Sequence, residues 1–225
     1  MNRLIFPEIF KGKITAFFTG KDPGAEVPDI SRTLKIQREC IYLPVQKHTD
    51  KVQILGSDHE PKIADAVITT ENGVLIGVRV ADCVPVLLWD RARGVIGAVH
   101  AGWRGTAAGI LKKTLLEMSG RFFCDPKDIL VAIGPGIKWC CYGVDHDVVH
   151  AVRQATGEGD YVLEKGGKYC LDLPSANKYQ AVSAGIPEPN IWISEDCTFC
   201  NPGRYFSYRY ARGATGRQGG FIGFI

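Results

Sequence analysis

The fold turns on the stretch VADCVPVLLWDRARGVIGAVHAGW, Val80 to Trp103. Two apolar runs, at 83–89 and 94–100, flank the charged tetrapeptide Asp90-Arg91-Ala92-Arg93. Short runs of Val, Ile and Leu bounded by glycine or charge read as buried strands. A four-residue connection suits a hairpin. Pairing Trp89 with Gly94 then sets Cys83 directly opposite His100. Residues so opposed hold their Cβ atoms about 4.5–5.5 Å apart on one face. That separation suits two ligands on one metal, or a thiol with its base. A small buried thiol beside an ordinary core histidine is the other reading at this point. A slip of one residue would send the two side chains to opposite faces. Pro85 predicts an edge strand or a bulge nearby.

Similar runs extend the pattern in both directions. KITAFFTG, DAVITT, GVLIGVRVA, DILVAIG and NIWIS read as further strands. ECIYLPVQKHTDKVQIL reads as two strands around a polar bend. Helical periodicity appears in TAAGILKKTLLEMSG, where Ala107, Leu111, Thr114, Leu115 and Met118 share one face. Thr106 is the expected N-cap of that helix and Gly120 its expected terminator. DHDVVHAVRQAT and PSANKYQAVSAG are two more helices, the second with Pro174 in its first turn. The expected class is α+β, a mixed β-sheet core with helices packed outside it, over a single domain spanning 1–225.

A chain of 225 residues, 45% hydrophobic and 23% charged, has the composition of an ordinary globular protein. Its net charge of +3 is spread along the chain without a basic block, which argues against a nucleic-acid partner. No window approaches the roughly 20 apolar residues that span a bilayer, and MNRLIFPEIFKGK lacks the apolar length of a secretion signal. The expected location is therefore the cytoplasm, with no membrane partner. Oligomeric signals are absent, leaving a monomer or small homodimer. Eight cysteines in such a chain are expected to be reduced, some of them serving a metal or catalysis.

His48, in QKHTD, follows an apolar strand and sits in a polar bend, where strand ends commonly present functional groups. Joined to Cys83 and His100 it would complete two imidazoles and a thiolate, an open zinc site with water in the fourth position. Taken alone, His48 reads as a turn histidine.

The motifs ADCVPVLL, VHAGWRGT, AIGPGIKWCCYGV and FSYRYARGATGRQ resemble, in order, those of a bacterial family. It is the family called laccase-domain or multicopper polyphenol oxidase, also named purine nucleoside phosphorylase and peptidoglycan editing factor. The resemblance runs from about Phe17 to the C-terminus. It implies a fold related to cysteine hydrolases that include deamidating bacterial toxins. It also implies a zinc or copper site made by His48, Cys83 and His100. The activity implied is phosphorolysis of adenosine, inosine or methylthioadenosine, with adenosine deamination in some members. Two alternatives share the site: an amidase that edits a peptidoglycan precursor, and a copper-dependent polyphenol oxidase. The last needs many imidazoles, whereas the chain has five histidines: 48, 59, 100, 146 and 150.

Within that resemblance Arg104 is the expected phosphate ligand, since a guanidinium grips phosphate in bidentate fashion. Gly105 and Thr106 would add backbone N–H groups at a helix start. Arg209 and Gln46 complete the expected substrate and phosphate set. Three positions depart from the family pattern: Thr49 stands for glycine, and Lys21 and Tyr210 stand where arginine is usual. Finally, Cys197 and Cys200 have C-x-x-C spacing, and Cys140-Cys141 would bring the count to four zinc ligands. Adjacent cysteines seldom suit such a site, so these four are expected to be buried thiols.

Overall fold

A computed structural model describes residues 4–225; the first three residues of MNRLIFPEIFKGK lie outside the described residues. Strands β7 (Val84–Asp90) and β8 (Val95–Ala101) form the expected hairpin at the centre of a six-stranded sheet. The other members are β4 (Val52–Ile54), β5 (Ala66–Thr69), β9 (Ile129–Ile133) and β13 (Ile191–Ile193), in the order β13-β9-β7-β8-β5-β4. Both outer pairs are parallel and the inner ones antiparallel, so the sheet is mixed.

The register of the hairpin differs from the expected one by two residues. Trp89 pairs with Ile96, and Pro85 rather than Cys83 stands opposite His100. The cause lies in the turn. Asp90 stays in the strand while its Oδ1 accepts from the Ala92 and Arg93 N–H groups at 2.8 and 2.9 Å, so the loop is Arg91 to Gly94. A two-residue shift preserves the face of every side chain. Cys83 therefore still points to the side of His100, from a position just before β7. Nor is β7 an edge strand. The Pro85 carbonyl accepts from Gly134 N–H at 2.8 Å, so the missing N–H of Pro85 faces the side where β9 has already ended.

A second sheet of five strands packs on the first: β1 (Leu4–Ile5), β2 (Thr15–Thr19), β14 (Gln218–Gly223), β6 (Leu75–Val80) and β3 (Ile41–Tyr42). The expected single sheet is thus two. Phe18, Ile76, Val78 and Ile222 meet Leu87, Trp89, Ile96 and Ala98 between the layers. On the far face of the six-stranded sheet, Val84, Val86, Leu88 and Val99 pack against Ile110, Leu111, Leu115 and Ala176 of the helices. Burial on both faces explains why β7 and β8 read as unbroken apolar runs. On the outer face of the five-stranded sheet, Phe17, Leu75 and Phe221 pack against Ile30 of α1 (Val27–Leu34). The layers run helix, sheet, sheet, helices, and the class is α+β as expected.

The helix expected over TAAGILKKTLLEMSG is two helices, α2 (Trp103–Ala107) and α3 (Ile110–Phe122). Gly109 separates them at φ +71°, a left-handed conformation that suits glycine. Thr106 is consequently inside α2 rather than its cap, and Gly120 lies within α3. The two other expected helices are α4 (His146–Thr156) and α5 (Leu173–Ser183), the latter capped by Asp172, which accepts from Ser175 N–H. A small sheet of β10 (Gly143–Val144), β12 (Lys168–Leu171) and β11 (Val162–Lys165), and the short α6 (Tyr208–Ala211), carry no periodic signal of their own. Among the described residues no helix is long and apolar enough to cross a membrane.

Candidate metal centre and its cavity

His48, Cys83 and His100 reach one point from three elements. His100 comes from β8, Cys83 from the turn entering β7, and His48 from the bend between β3 and β4. One donor atom of each lies within 4.8 Å of the others. The Cys83 Sγ is 4.0 Å from His48 Nε2, and the two imidazoles meet edge to face with centroids 4.8 Å apart.

Asp65 holds this arrangement in place, and the sequence reading missed it. Its carboxylate is fully buried just before β5. It accepts from His100 Nδ1 at 2.7 Å, from the backbone N–H groups of Lys47, His48 and Thr49, and from the Thr49 hydroxyl at 2.8 Å. Three consecutive N–H groups converging on one carboxylate keep the bend in shape, including His48 at φ +57°, a conformation costly for a side-chain-bearing residue. The Thr49 side chain adds the hydroxyl contact. Asp65 engages His100 at Nδ1, as a carboxylate commonly does for a ligating histidine, and leaves Nε2 for a metal. Two imidazoles, one thiolate and an open side fit zinc, or copper.

Charge reinforces the geometry. Burial pushes the Cys83 thiol up, but His100 and His48 outweigh it and hold the thiol down at about 6. Burial likewise pushes the His100 imidazolium down, and Cys83 with Asp65 holds it up at about 9. For Asp65, burial opposes ionisation, and the hydrogen bonds from His100 and Thr49 keep the carboxyl well below the usual range. Both shifts run in the direction that favours a thiolate on Cys83 beside an imidazolium on His100 at neutral pH.

The trio opens into a cavity of about 960 Å³, in the range of small-molecule sites. Lys47, Arg79, Arg104, Arg209 and Arg217 all line it. Arg104 is exposed and lies over the Trp103 ring at 4.4 Å, while Arg209 lies over the Tyr142 ring at 4.9 Å. Asp82 anchors Arg209: one carboxylate oxygen accepts from Arg209 N–H and the other from the Thr198 hydroxyl. Burial pushes the Tyr142 phenol up to about 12, so it remains a hydrogen-bond donor in the wall.

Three members of the expected substrate set are placed differently. Thr106 is fully buried, its N–H bonded to the Gly102 carbonyl and its hydroxyl to Asn177. Gly105 is buried too, and neither residue is in the cavity wall. The helix begins at Trp103 and Thr106 N–H makes its first intrahelical bond, so of the two only Gly105 N–H belongs to the opening turn, on a buried residue outside the wall. Gln46 lines the cavity, but its amide is engaged at both ends with the backbone of Arg79, each bond 2.8 Å. Lys21 and Tyr210 are outside the wall, against Phe206 and Phe199. Lys47, Arg79 and Arg217 are the cations of the wall that sequence alone did not single out.

The other histidines make no second imidazole centre. His146 stacks with His150 at 6.2 Å between centroids, and His59 meets Tyr42. Among the described residues only two groups of three or more potential ligands exist, the trio and a cluster of four cysteines. The ligands for a four-copper array are not assembled.

An α+β protein with a His₂Cys centre at the floor of a cationic cavity is what fold and site define. Residues 25–225 match the family described as multi-copper polyphenol oxidoreductase laccase, and the chain belongs to that family. It is 34% identical to a purine nucleoside phosphorylase, YlmD, of Geobacillus stearothermophilus, over 95% of this chain and 85% of the relative. Identity is 39% with a purine nucleoside phosphorylase of Clostridium acetobutylicum, over 79% of this chain and 74% of the relative. The crystal structure of YlmD from G. stearothermophilus superimposes with a TM-score of 0.89, at 33% identity, covering 96% of this chain and 93% of that one. A Bacillus licheniformis hypothetical protein, YfiH, gives a TM-score of 0.88 at 32% identity, covering 94% and 92%.

Proposed function

We propose that the cavity binds a purine nucleoside with inorganic phosphate and transfers the ribosyl group to phosphate. Adenosine, inosine and methylthioadenosine are the expected substrates. The observation that carries this reading is a cavity wall that holds the trio together with Lys47, Arg79, Arg104, Arg209 and Arg217, of which Arg79 is also paired with Glu26. Among the described residues the wall holds one carboxylate, Asp82, which accepts from the Thr198 hydroxyl and the Arg209 backbone N–H. Such a cleft concentrates an anion. Phosphate attacks the anomeric carbon, the glycosidic bond breaks, and its electron pair leaves with the purine nitrogen, which gains a proton. Arg104 and Arg209 hold the phosphate, and the Tyr142 phenol offers a proton donor beside the leaving base. His48, Cys83 and His100 would hold zinc, or copper, which when bound supplies Lewis-acid polarisation next to the reacting groups. Adenosine deamination is a further activity compatible with the same centre.

The test pairs metal analysis of the purified protein with an adenosine assay run with and without phosphate. Phosphate-dependent release of adenine is the expected result. His48→Ala, Cys83→Ala and His100→Ala should each abolish it and remove the metal bound at the trio. A variant that keeps that metal in full would strike its residue from the ligand set.

One observation favours a second reading, amide hydrolysis of a cell-wall precursor. Cys83, His100 and Asp65 stand in the order of nucleophile, base and orienting carboxylate. In that chemistry the thiolate adds to the amide carbonyl, the amine leaves with the His100 proton, and water cleaves the thioester. Activity on an amide that survives metal removal would select it over phosphorolysis.

A further inference from the structure

Four cysteines outside the cavity floor come together on the other side of its wall. Cys140 and Cys141 lie on the turn after β9, and Cys197 and Cys200 on the turn after β13. The potential ligand atoms of all four are within 4.8 Å of one another. Cys200 Sγ is 3.5 Å from that of Cys140 and 3.2 Å from that of Cys141. Four sulfurs at about 2.3 Å from one zinc ion would stand about 3.8 Å apart along the edges of a tetrahedron. All eight cysteines of the chain are free thiols.

We propose that Cys140, Cys141, Cys197 and Cys200 bind a second, structural zinc ion as a tetrathiolate clip. The topology explains why these residues meet. β9 and β13 are parallel neighbours, so both chains leave the sheet on the same side and continue next to each other. A bridge between Gly136 and Cys197 extends the pairing beyond the strands, with Thr198 N–H donating to the Gly136 carbonyl at 3.2 Å. The 138–142 segment is a single tight turn, in which Cys141 and Tyr142 N–H groups both donate to the Lys138 carbonyl. Neighbouring side chains on such a turn diverge, and here both sulfurs still reach Cys200. That contact answers the objection that adjacent cysteines make poor joint ligands. On binding, the four thiols give up four protons and each sulfur donates an electron pair to Zn²⁺, leaving a centre of charge −2. Sulfur-only donors favour zinc over harder cations.

The clip has a position that matters. Both turns bear on the Asp82–Cys83 turn: Ile137 N–H donates to the Asp82 carbonyl at 2.9 Å, and the Thr198 hydroxyl to the Asp82 side chain at 2.7 Å. Ile137 and Tyr142 line the cavity, and Asp82 anchors Arg209. Neither turn belongs to a helix or a strand. A zinc ion would tie them together where backbone pairing is sparse.

The deciding material is the His48→Ala/Cys83→Ala/His100→Ala protein, in which the trio is gone and the four cysteines are intact. Purified from zinc-supplemented cells, it should keep one zinc per chain, and X-ray absorption should show four sulfur neighbours at about 2.3 Å. The wild type should carry one zinc more if the trio is also a metal centre, so the two sites are scored separately. Cys197→Ser/Cys200→Ser, added to the triple variant, should lose the remaining ion. A zinc-free triple variant that is folded by circular dichroism overturns the proposal. So does retained metal bound by nitrogen or oxygen, or a disulfide linking Cys200 to Cys140 or Cys141 in peptide mass mapping.

Discussion

Asp65 illustrates what a single buried charge does here. Five hydrogen bonds converge on its carboxylate, from three backbone N–H groups, one hydroxyl and one imidazole. Its folded-state value is lowered, so the stability it supplies is complete above about pH 4, the unfolded carboxylate range, and is lost as pH falls toward the folded value. Urea unfolding of the metal-free protein should find Asp65→Asn less stable by about 3 kcal/mol at pH 6, with the gap narrowing below pH 4. A gap constant down to pH 2 would remove the carboxylate charge from the account. Cys83 and His100 add little slope between about pH 6 and 9. There the folded thiolate–imidazolium pair and the unfolded neutral pair bind the same number of protons. Arg104 is exposed at the cavity rim, and Arg104→Ala should raise the KM for phosphate about tenfold while shifting that for nucleoside less. Equal shifts in both would take it out of the phosphate role.

At the scale of elements, the hairpin β7–β8 delivers Cys83 and His100, and its exit into α2 must leave room for them. A Cβ on Gly102 would lie 2.8 Å from the Cys83 sulfur and 3.4 Å from His48 Cδ2. The backbone of Gly102 is extended at φ −75°, so alanine there meets a steric problem and no conformational one. Gly102→Ala should therefore displace the Cys83 sulfur, reduce metal content at the trio and lower activity at least tenfold, while Tm falls by only a few degrees. Unchanged metal affinity would show that the sulfur has space the structure does not display. Strand identity was readable here because β7 and β8 are buried on both faces and therefore continuously apolar. The register was not readable, since it depends on the Asp90 side chain closing its own turn. The break at Gly109 likewise hid within an apolar helical pattern whose period hardly changes across it.

Across the whole molecule, the two sheets meet through a layer in which Phe18 is fully buried and stacks on Trp192 with centroids 5.9 Å apart. Gly134 and Gly220 give that ring space, since a Cβ on either would fall within 3 Å of it. Phe18→Ala should cost about 3–5 kcal/mol in denaturant unfolding. Because Phe18 is absent from the cavity wall, metal content at low temperature should stay unchanged. A loss of metal equal to the loss of stability would mean that the site and the inter-sheet layer fold as one unit.

The sequence by itself determined the local matters: the apolar strands, the main helices, the α+β class, and the candidate residues His48, Cys83, His100, Arg104 and Arg209. These are written in runs, spacings and motifs of nearby residues. Tertiary structure alone decided what joins distant parts of the chain. It split the main strands into two packed sheets, brought Asp65 against the bend at His48, and set Lys47, Arg79 and Arg217 in one cavity wall with Arg104. It also carried Cys140 and Cys141 to Cys197 and Cys200 through the parallel pairing of β9 and β13. The physical reason is common to all four. A contact across many residues exists only once packing has met the entropy of closing the loop between them, and no pattern along the chain records that closure.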